Sequence, residues 1–373
     1  MRVAIAYLVV AGCGRIAFDS LGDSAGATGD AVDGASAPCA NFDVVVDLPT
    51  GPSAAPADIV WTGSEYYVVM RTTVYGLQQL GADGTPGAHY DVLPSTENLS
   101  GMAWSGDSIG FVSYGGGAAH WRSFNPVDHS VGTPVTLNTT SQGNVVKIAW
   151  AGDRYIIGWQ DANTANVMAR EVSSSGALLT AELLLSTTGG PVSSVAATST
   201  TYVFGVQVGT GAAVVTYQRQ PMLIQTLAVD IGSSSGVAVV ARSDGSFAST
   251  RTTVAGGSIR IQLHDTDGTP LGAGIANPLT SAATPFYQTI EPTSSGYRLS
   301  GIENISPHNL VHAELDGMGT VAAGQTTFGM INAPGFGAPS SFATTGRSLL
   351  VYPYDDGTGS NPTHMRAIQT CGN

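Results

Sequence analysis

Ile59-Val60-Trp61-Thr62-Gly63, Met102-Ala103-Trp104-Ser105-Gly106 and Ile148-Ala149-Trp150-Ala151-Gly152 follow one another with Trp-to-Trp steps of 43 and 46 residues. Five residues after each Trp stands Tyr66, Ile109 or Tyr155, and each opens a second apolar run. A repeat near 45 residues built only of strand-like pieces reads as the blades of a β-propeller.

The first repeat is the clearest. Its strands read as 57–61, 66–71, 74–80 and 88–93, with the hairpin signal Asp83-Gly84 before the last. The second spans about 101–139 and the third about 145–186. A fourth lacks Trp but keeps Tyr202 five residues after Ala197. A fifth starts near Val237 and has a third strand at 259–264. A sixth has Pro292 and Tyr297, then 310–315. In the seventh, Leu349 follows Thr344 by five, and 363–369 is a strand. That repeat is one strand short. Residues 42–48 have no inner strand before them and resemble the outer strand around His89-Tyr90-Asp91-Val92-Leu93. Placing them on the seventh blade closes the ring and removes an open edge. The expectation is an all-β, seven-bladed propeller of four-stranded antiparallel blades; six or eight blades also fit the degenerate later repeats.

Composition agrees. Of 373 residues 43% are apolar and only 11% charged, against about 25% charged in an average domain. The net charge is −13 and Lys147 is the only lysine, which argues against nucleic-acid binding and leaves no basic handle for anionic lipid.

Met1-Arg2, an apolar run over 3–10 and Ala11-Gly12 have the layout of a secretory signal, too short to span a bilayer. Val10-Ala11-Gly12-Cys13 resembles the bacterial lipobox. That resemblance implies a signal peptide over 1–12, acylation of Cys13, and a protein lipid-anchored in the cell envelope, at the outer membrane or surface of a Gram-negative bacterium. A fortuitous cysteine after an ordinary signal, or a short buried strand, is the plainer alternative. Residues 14–38 are Gly, Ala, Ser and Asp with few large apolar groups, the composition of a disordered tether; the domain is expected over 39–373. Cys39 and Cys371 remain. In an exported protein they are expected to pair if the chain ends are neighbours, as a closed ring makes them; two free thiols are the alternative.

The repeats resemble those of predicted bacterial lipoproteins of the deltaproteobacterial type. Their blades run roughly Trp-x-Gly-x-x-Tyr and end the third strand in Asp-Gly-Thr, as in Leu80-Gly81-Ala82-Asp83-Gly84-Thr85 and Leu263-His264-Asp265-Thr266-Asp267-Gly268-Thr269. The resemblance covers about 42–371 and implies architecture rather than activity.

Chemical motifs are sparse. The sialidase-type Asp box is reduced to Ser105-Gly106-Asp107-Ser108, and Asp265-Thr266-Asp267-Gly268 is too short for a calcium loop. Gly232-Ser233-Ser234-Ser235-Gly236 matches Gly-x-Ser-x-Gly formally, but that motif needs a strand-to-helix elbow, and here it links two blades. His308 and His312 lie about 13 Å apart if on a strand, too far to share a metal. No cofactor is expected; the polar loop after Tyr354 could hold calcium at Asp355 and Asp356, with a solvated loop as the plainer reading.

Propellers commonly bind at one end of the ring. The connections between second and third strands share an end, and in this frame they offer Arg71, Tyr114, Gln160, Asp161, Gln207, Glu303, Asn304, Tyr354 and Asp355, with Trp159 at the edge. Aromatic, Arg and amide groups on one rim suit a glycan or peptide. The expected function is therefore a monomeric, lipid-anchored binding or scaffold module. The alternative is a polysaccharide hydrolase or lyase with paired carboxylates at the channel mouth.

Overall fold

Alternating apolar residues force each strand run into a sheet with two apolar faces, and seven such sheets cover one another in a ring. The structure, a computed structural model, describes residues 39–47, 55–71, 74–138, 143–187, 189–208, 211–219, 222–230, 234–242, 244–253, 259–276, 285–293, 296–303, 308–322, 326–331, 340–344, 347–354 and 364–371. Blade one pairs Ala55–Trp61, Glu65–Arg71, Tyr75–Gly81 and Pro86–Asp91 in order from the axis outward. Five more four-stranded antiparallel blades repeat that order. Their inner strands are Asn98–Trp104, Gly143–Trp150, Val192–Ala197, Ser234–Ala241 and Pro285–Pro292. Blade seven is Ser340–Thr344, Arg347–Tyr354 and His364–Cys371, completed by the N-terminal strand Phe42–Asp47. Neighbouring inner strands touch all the way round, and Ser340–Thr344 meets Ala55–Trp61.

The closing strand is fastened several times. Phe42 to Asp47 run antiparallel to Gln369 back to His364. Arg366 grips Asp43 through two hydrogen bonds (2.7 and 2.6 Å), and His364 Nδ1 meets Asp47 at 2.7 Å. Cys39 and Cys371 form a disulfide with Cα atoms 5.8 Å apart. Gln369 is buried at the seam with blade one: the Tyr66 hydroxyl donates to its Oε1, and its Nε2 donates to the Ala82 carbonyl at 3.1 Å.

The Trp-x-Gly signature resolves into three jobs. The Trp packs back onto the preceding blade: Trp61 joins Leu349, Val351 and Met365, with the Arg347 guanidinium 3.8 Å from its ring centroid, and Trp150 joins Val112 and Trp121. In the first two signatures the middle residue caps the hairpin, as the Thr62 and Ser105 hydroxyls donate to the carbonyls of Glu65 and Ser108 at 3.0 and 2.9 Å; Ala151 of the third has no hydroxyl. The Gly turns the chain: Gly63, Gly106 and Gly152 have φ of +100°, +106° and +91°, with nothing within 4 Å of an added Cβ. Their role is backbone freedom alone.

The five-residue spacing is a cross-strand pair. Trp61 faces Tyr66, Trp104 Ile109, Trp150 Tyr155, Ala197 Tyr202 and Pro292 Tyr297. Blades five and seven depart from it. Ala241 faces Phe247 across a turn one residue longer, and the shorter last turn sets Thr344 against Arg347, so Leu349 faces Phe342. Thr344 is therefore not the counterpart of Trp61.

Gly63→Ala, Gly106→Ala and Gly152→Ala are each expected to cost about 1–2 kcal/mol in urea unfolding, since an L-residue there is strained without any clash. The Cys39→Ser/Cys371→Ser double variant is expected to lose roughly 2–5 kcal/mol, and reduction of the unaltered chain should match it. An unchanged midpoint in both would deny the clasp its role.

Candidate functional site

The two ends of the ring are built differently. At one end lie the short hairpins between first and second strands and the turns leading to each outer strand. Carboxylates in those turns are tied to their own backbone. Asp83 Oδ1 accepts from Thr85 N–H at 2.9 Å, and Asp316 Oδ1 from Thr320 N–H at 2.9 Å. Asp265 and Asp267 both accept from Thr269 N–H, at 2.9 and 2.8 Å. These oxygens finish turns.

The opposite end carries the second-to-third connections and the passages from each outer strand to the next blade. Over blades one to four it presents partly exposed Tyr75, Asn98, Tyr114, Gln160 and Gln207. Tyr75 reaches Asn98, which is the cross-strand partner of Tyr114. Trp159 is fully buried between blades two and three, where Tyr114 packs against its cluster. Asp161 is buried too: its oxygens accept from Asn163 N–H (3.1 Å) and the Thr164 hydroxyl (2.6 Å), holding the 162–166 turn. Trp159 and Asp161 thus shape this rim from beneath. Arg71, Glu303 and Tyr354 end their second strands at the same end. Asn304, Asp355 and Asp356 lie outside the described residues, as does Cys13.

Beneath the rim, polar side chains stitch the inner strands together. Asp58, buried in blade one, accepts from Ile59 N–H (3.0 Å) and from Met102 N–H of blade two (2.6 Å). From the other side Lys147, also buried, donates to the Ser100 carbonyl at 2.9 Å. Ser193 and Ser194 accept from Val237 and Val239 N–H, both at 3.0 Å, joining blades four and five. These positions coincide with register shifts in the inner strands, which leave backbone groups unpaired within their own sheet. Sequence reading missed them because their partners lie one repeat away.

A second cluster was equally hidden. Glu97, in the passage from blade one to blade two, forms a two-pronged bond with the buried Arg122 (both 2.8 Å). It also accepts the Ser113 hydroxyl at 2.6 Å, while His120 Nδ1 lies 3.4 Å away. Burial pushes the Glu97 carboxyl up, but the hydrogen bonds from Arg122 and Ser113 outweigh it and hold the group at about 2. A carboxylate so held stays ionised and cannot serve as the proton donor a glycosidase needs. Ser113 is fully buried and gives its proton to Glu97.

Ser249 and His264 face the same test. Their Oγ and Nε2 are 2.9 Å apart, and Nδ1 lies 3.0 Å from the Gly268 carbonyl. The carbonyl must accept, so Nδ1 carries the proton and Nε2 accepts from Ser249. Both residues are buried inside blade five, and burial lowers the imidazole pKa. His264 stands where blade one has Leu80, as a satisfied core residue. His308 and His312 do lie on one strand, His308–Asp316. Ser234 and Gly236 of the Gly-x-Ser-x-Gly match open the inner strand Ser234–Ala241, with no elbow there. Among the described residues no group of three or more His, Cys, Asp or Glu is placed to hold a metal, and no helix is long and apolar enough to cross a membrane.

The chain matches no protein-family model and no curated protein. Solved structures share its fold at low identity. A chain of the Mitotic Checkpoint Complex aligns with TM-score 0.58 and 12% identity over 96% of this chain and 98% of that one. A chain of YCF48 bound to D1 peptide aligns with TM-score 0.52 and 12% identity over 89% and 97%. Kuenenia stuttgartiensis Hydrazine Synthase gives TM-score 0.53 and 11% identity over 68% and 78%. At these identities the likeness establishes the seven-bladed propeller.

Glu97 contributes stability fully only above the ordinary carboxylate value of 4.5, and that contribution disappears as pH falls from about 4.5 to about 2. Glu97→Gln is expected to cost about 3 kcal/mol at neutral pH, because it strands the buried Arg122. Its stability should then vary less than the parent's across that acid window in denaturant titrations.

Proposed function

We propose that the chain is a lipid-anchored, extracytoplasmic binding or scaffold module that takes a glycan or peptide at the end bearing Tyr75, Asn98, Tyr114, Gln160 and Gln207. The observation carrying this reading is the asymmetry of the ring. At the hairpin end the carboxylates of Asp83, Asp265 and Asp316 are tied to their own turns, whereas the other end leaves aromatic and amide groups partly exposed above a floor stitched between blades. Aromatic faces and amides are the groups that pack on sugar rings and bond peptide backbones. A chain of similar fold, YCF48, is known bound to a peptide, which supports a binding role for this fold. The anchor rests on the lipobox resemblance at Val10-Ala11-Gly12-Cys13.

Two experiments test this. Palmitate labelling that vanishes in Cys13→Ser is expected; an unlabelled parent overturns the anchor. On glycan and peptide arrays, Arg71→Glu, Tyr114→Ala and Gln160→Ala are each expected to weaken a captured ligand about tenfold with folding intact. Retention of full binding by all three overturns the proposed end.

A further inference from the structure

Large apolar residues left in water are distributed unevenly around this ring. Among the described residues they are Val45, Val127, Val131, Leu178, Leu179, Leu184, Met222, Ile224, Leu271, Met318 and Val321. All but Val45 and Leu184 lie in, or immediately after, the turn that leads to an outer strand. They recur in consecutive blades: Val127 in blade two, Leu178 in three, Met222 in four, Leu271 in five and Met318 in six. The tips are the most open, with Val127 86%, Met222 71% and Met318 73% exposed. Scattered apolar residues on a surface need no explanation; at least one at the same turn in each of blades two to six is a rim. Beside it, Asp128 and Asp316 accept from Ser130 and Met318 N–H, both at 2.9 Å.

In blade seven the corresponding turn is replaced by the Cys39–Cys371 bridge, where residues 1–38 join the ring. The chain that would carry a lipid on Cys13 thus enters the domain on the apolar rim. We propose that this rim docks on a lipid bilayer, with Val127, Leu178, Met222, Leu271 and Met318 dipping into its interfacial layer. This rests on the anchored reading for its local concentration, not for its contacts. The net charge of −13 selects uncharged headgroups, since anionic lipid would repel the domain. The docked orientation turns the Tyr114 end towards solvent.

The test uses the full, processed chain in phosphatidylcholine vesicles with brominated acyl chains. Val127→Trp, Met222→Trp and Met318→Trp are each made, with Asn163→Trp at the opposite end as control. Added fluorescence quenched by at least a third at the three tips, but not at 163, is expected, and quenching should fall when phosphatidylglycerol replaces half the lipid. Labelled, co-floating protein without tip quenching overturns docking while leaving the anchor standing. Should palmitate labelling fail, Cys13→Ser protein titrated with phosphatidylcholine vesicles still decides. A fivefold loss of binding in Val127→Asp/Met222→Asp/Met318→Asp supports docking, and no loss overturns it. A concentration-dependent dimer in sedimentation that the triple variant abolishes would assign the rim to a second copy and overturn the lipid proposal.

Discussion

Every sheet in this molecule has two apolar faces and, among the described residues, no helix to cover either, so each blade depends on the next. That requirement dictates closure: a linear stack would leave two end faces in water, whereas a ring leaves none. The aromatic residue opening the second strand shows how the dependence is made specific. Tyr66 donates to Gln369 of blade seven, Tyr155 to the Ser108 carbonyl (3.3 Å) and Tyr202 to Glu171 (2.8 Å), always in the preceding blade. A net hydrogen bond is worth only about 1 kcal/mol, but a buried phenol without one costs more. The phenol thus penalises any slip between blades. Burial raises these groups, Tyr66 and Tyr155 to about 12, so they remain donors at any ordinary pH.

The same dependence separates the two ends. At the hairpin end the turns tie their carboxylates to their own backbone, as at Asp83, Asp265 and Asp316. The passages from outer strand to next inner strand cross a whole blade at the other end. Register shifts near that end free backbone groups of the inner strands, and Asp58, Lys147, Ser193 and Ser194 take them up across the blade boundary. The floor beneath the candidate rim is therefore cross-linked between blades, an arrangement suited to holding a ligand site on a scaffold.

What was legible in the sequence is what repeats. Trp61, Trp104 and Trp150 with their Gly and aromatic companions encode a hairpin, and a hairpin has a fixed local spacing. Residues 42–47 and the Cys39–Cys371 pair followed from ring closure, a global constraint that leaves one answer. The frame slipped in blade seven because the turn there is two residues shorter, as in blade five it is one longer, and spacing alone does not reveal either. Glu97 with Arg122, Asp58 with Met102 and Ser249 with His264 were illegible for another reason. Their partners come from other strands or other blades, so the meeting depends on register and tilt rather than on spacing. Trp159 and Asp161 show the converse: their place at the end of the second strand was legible, but not the burial of each side chain.

On the anchored reading, closure and anchoring meet at one point. A tether pulling on Phe42–Asp47 alone would load an edge strand from its end, and its hydrogen bonds to His364–Cys371 would open one after another. The bridge at Cys39 lies ahead of that strand and passes tension directly into Cys371, whose strand is bonded on both sides by Arg347–Tyr354 and Phe42–Asp47. Load shared across two ladders breaks only when many bonds fail together. The clasp therefore keeps the strand that completes the ring from becoming the first to peel away.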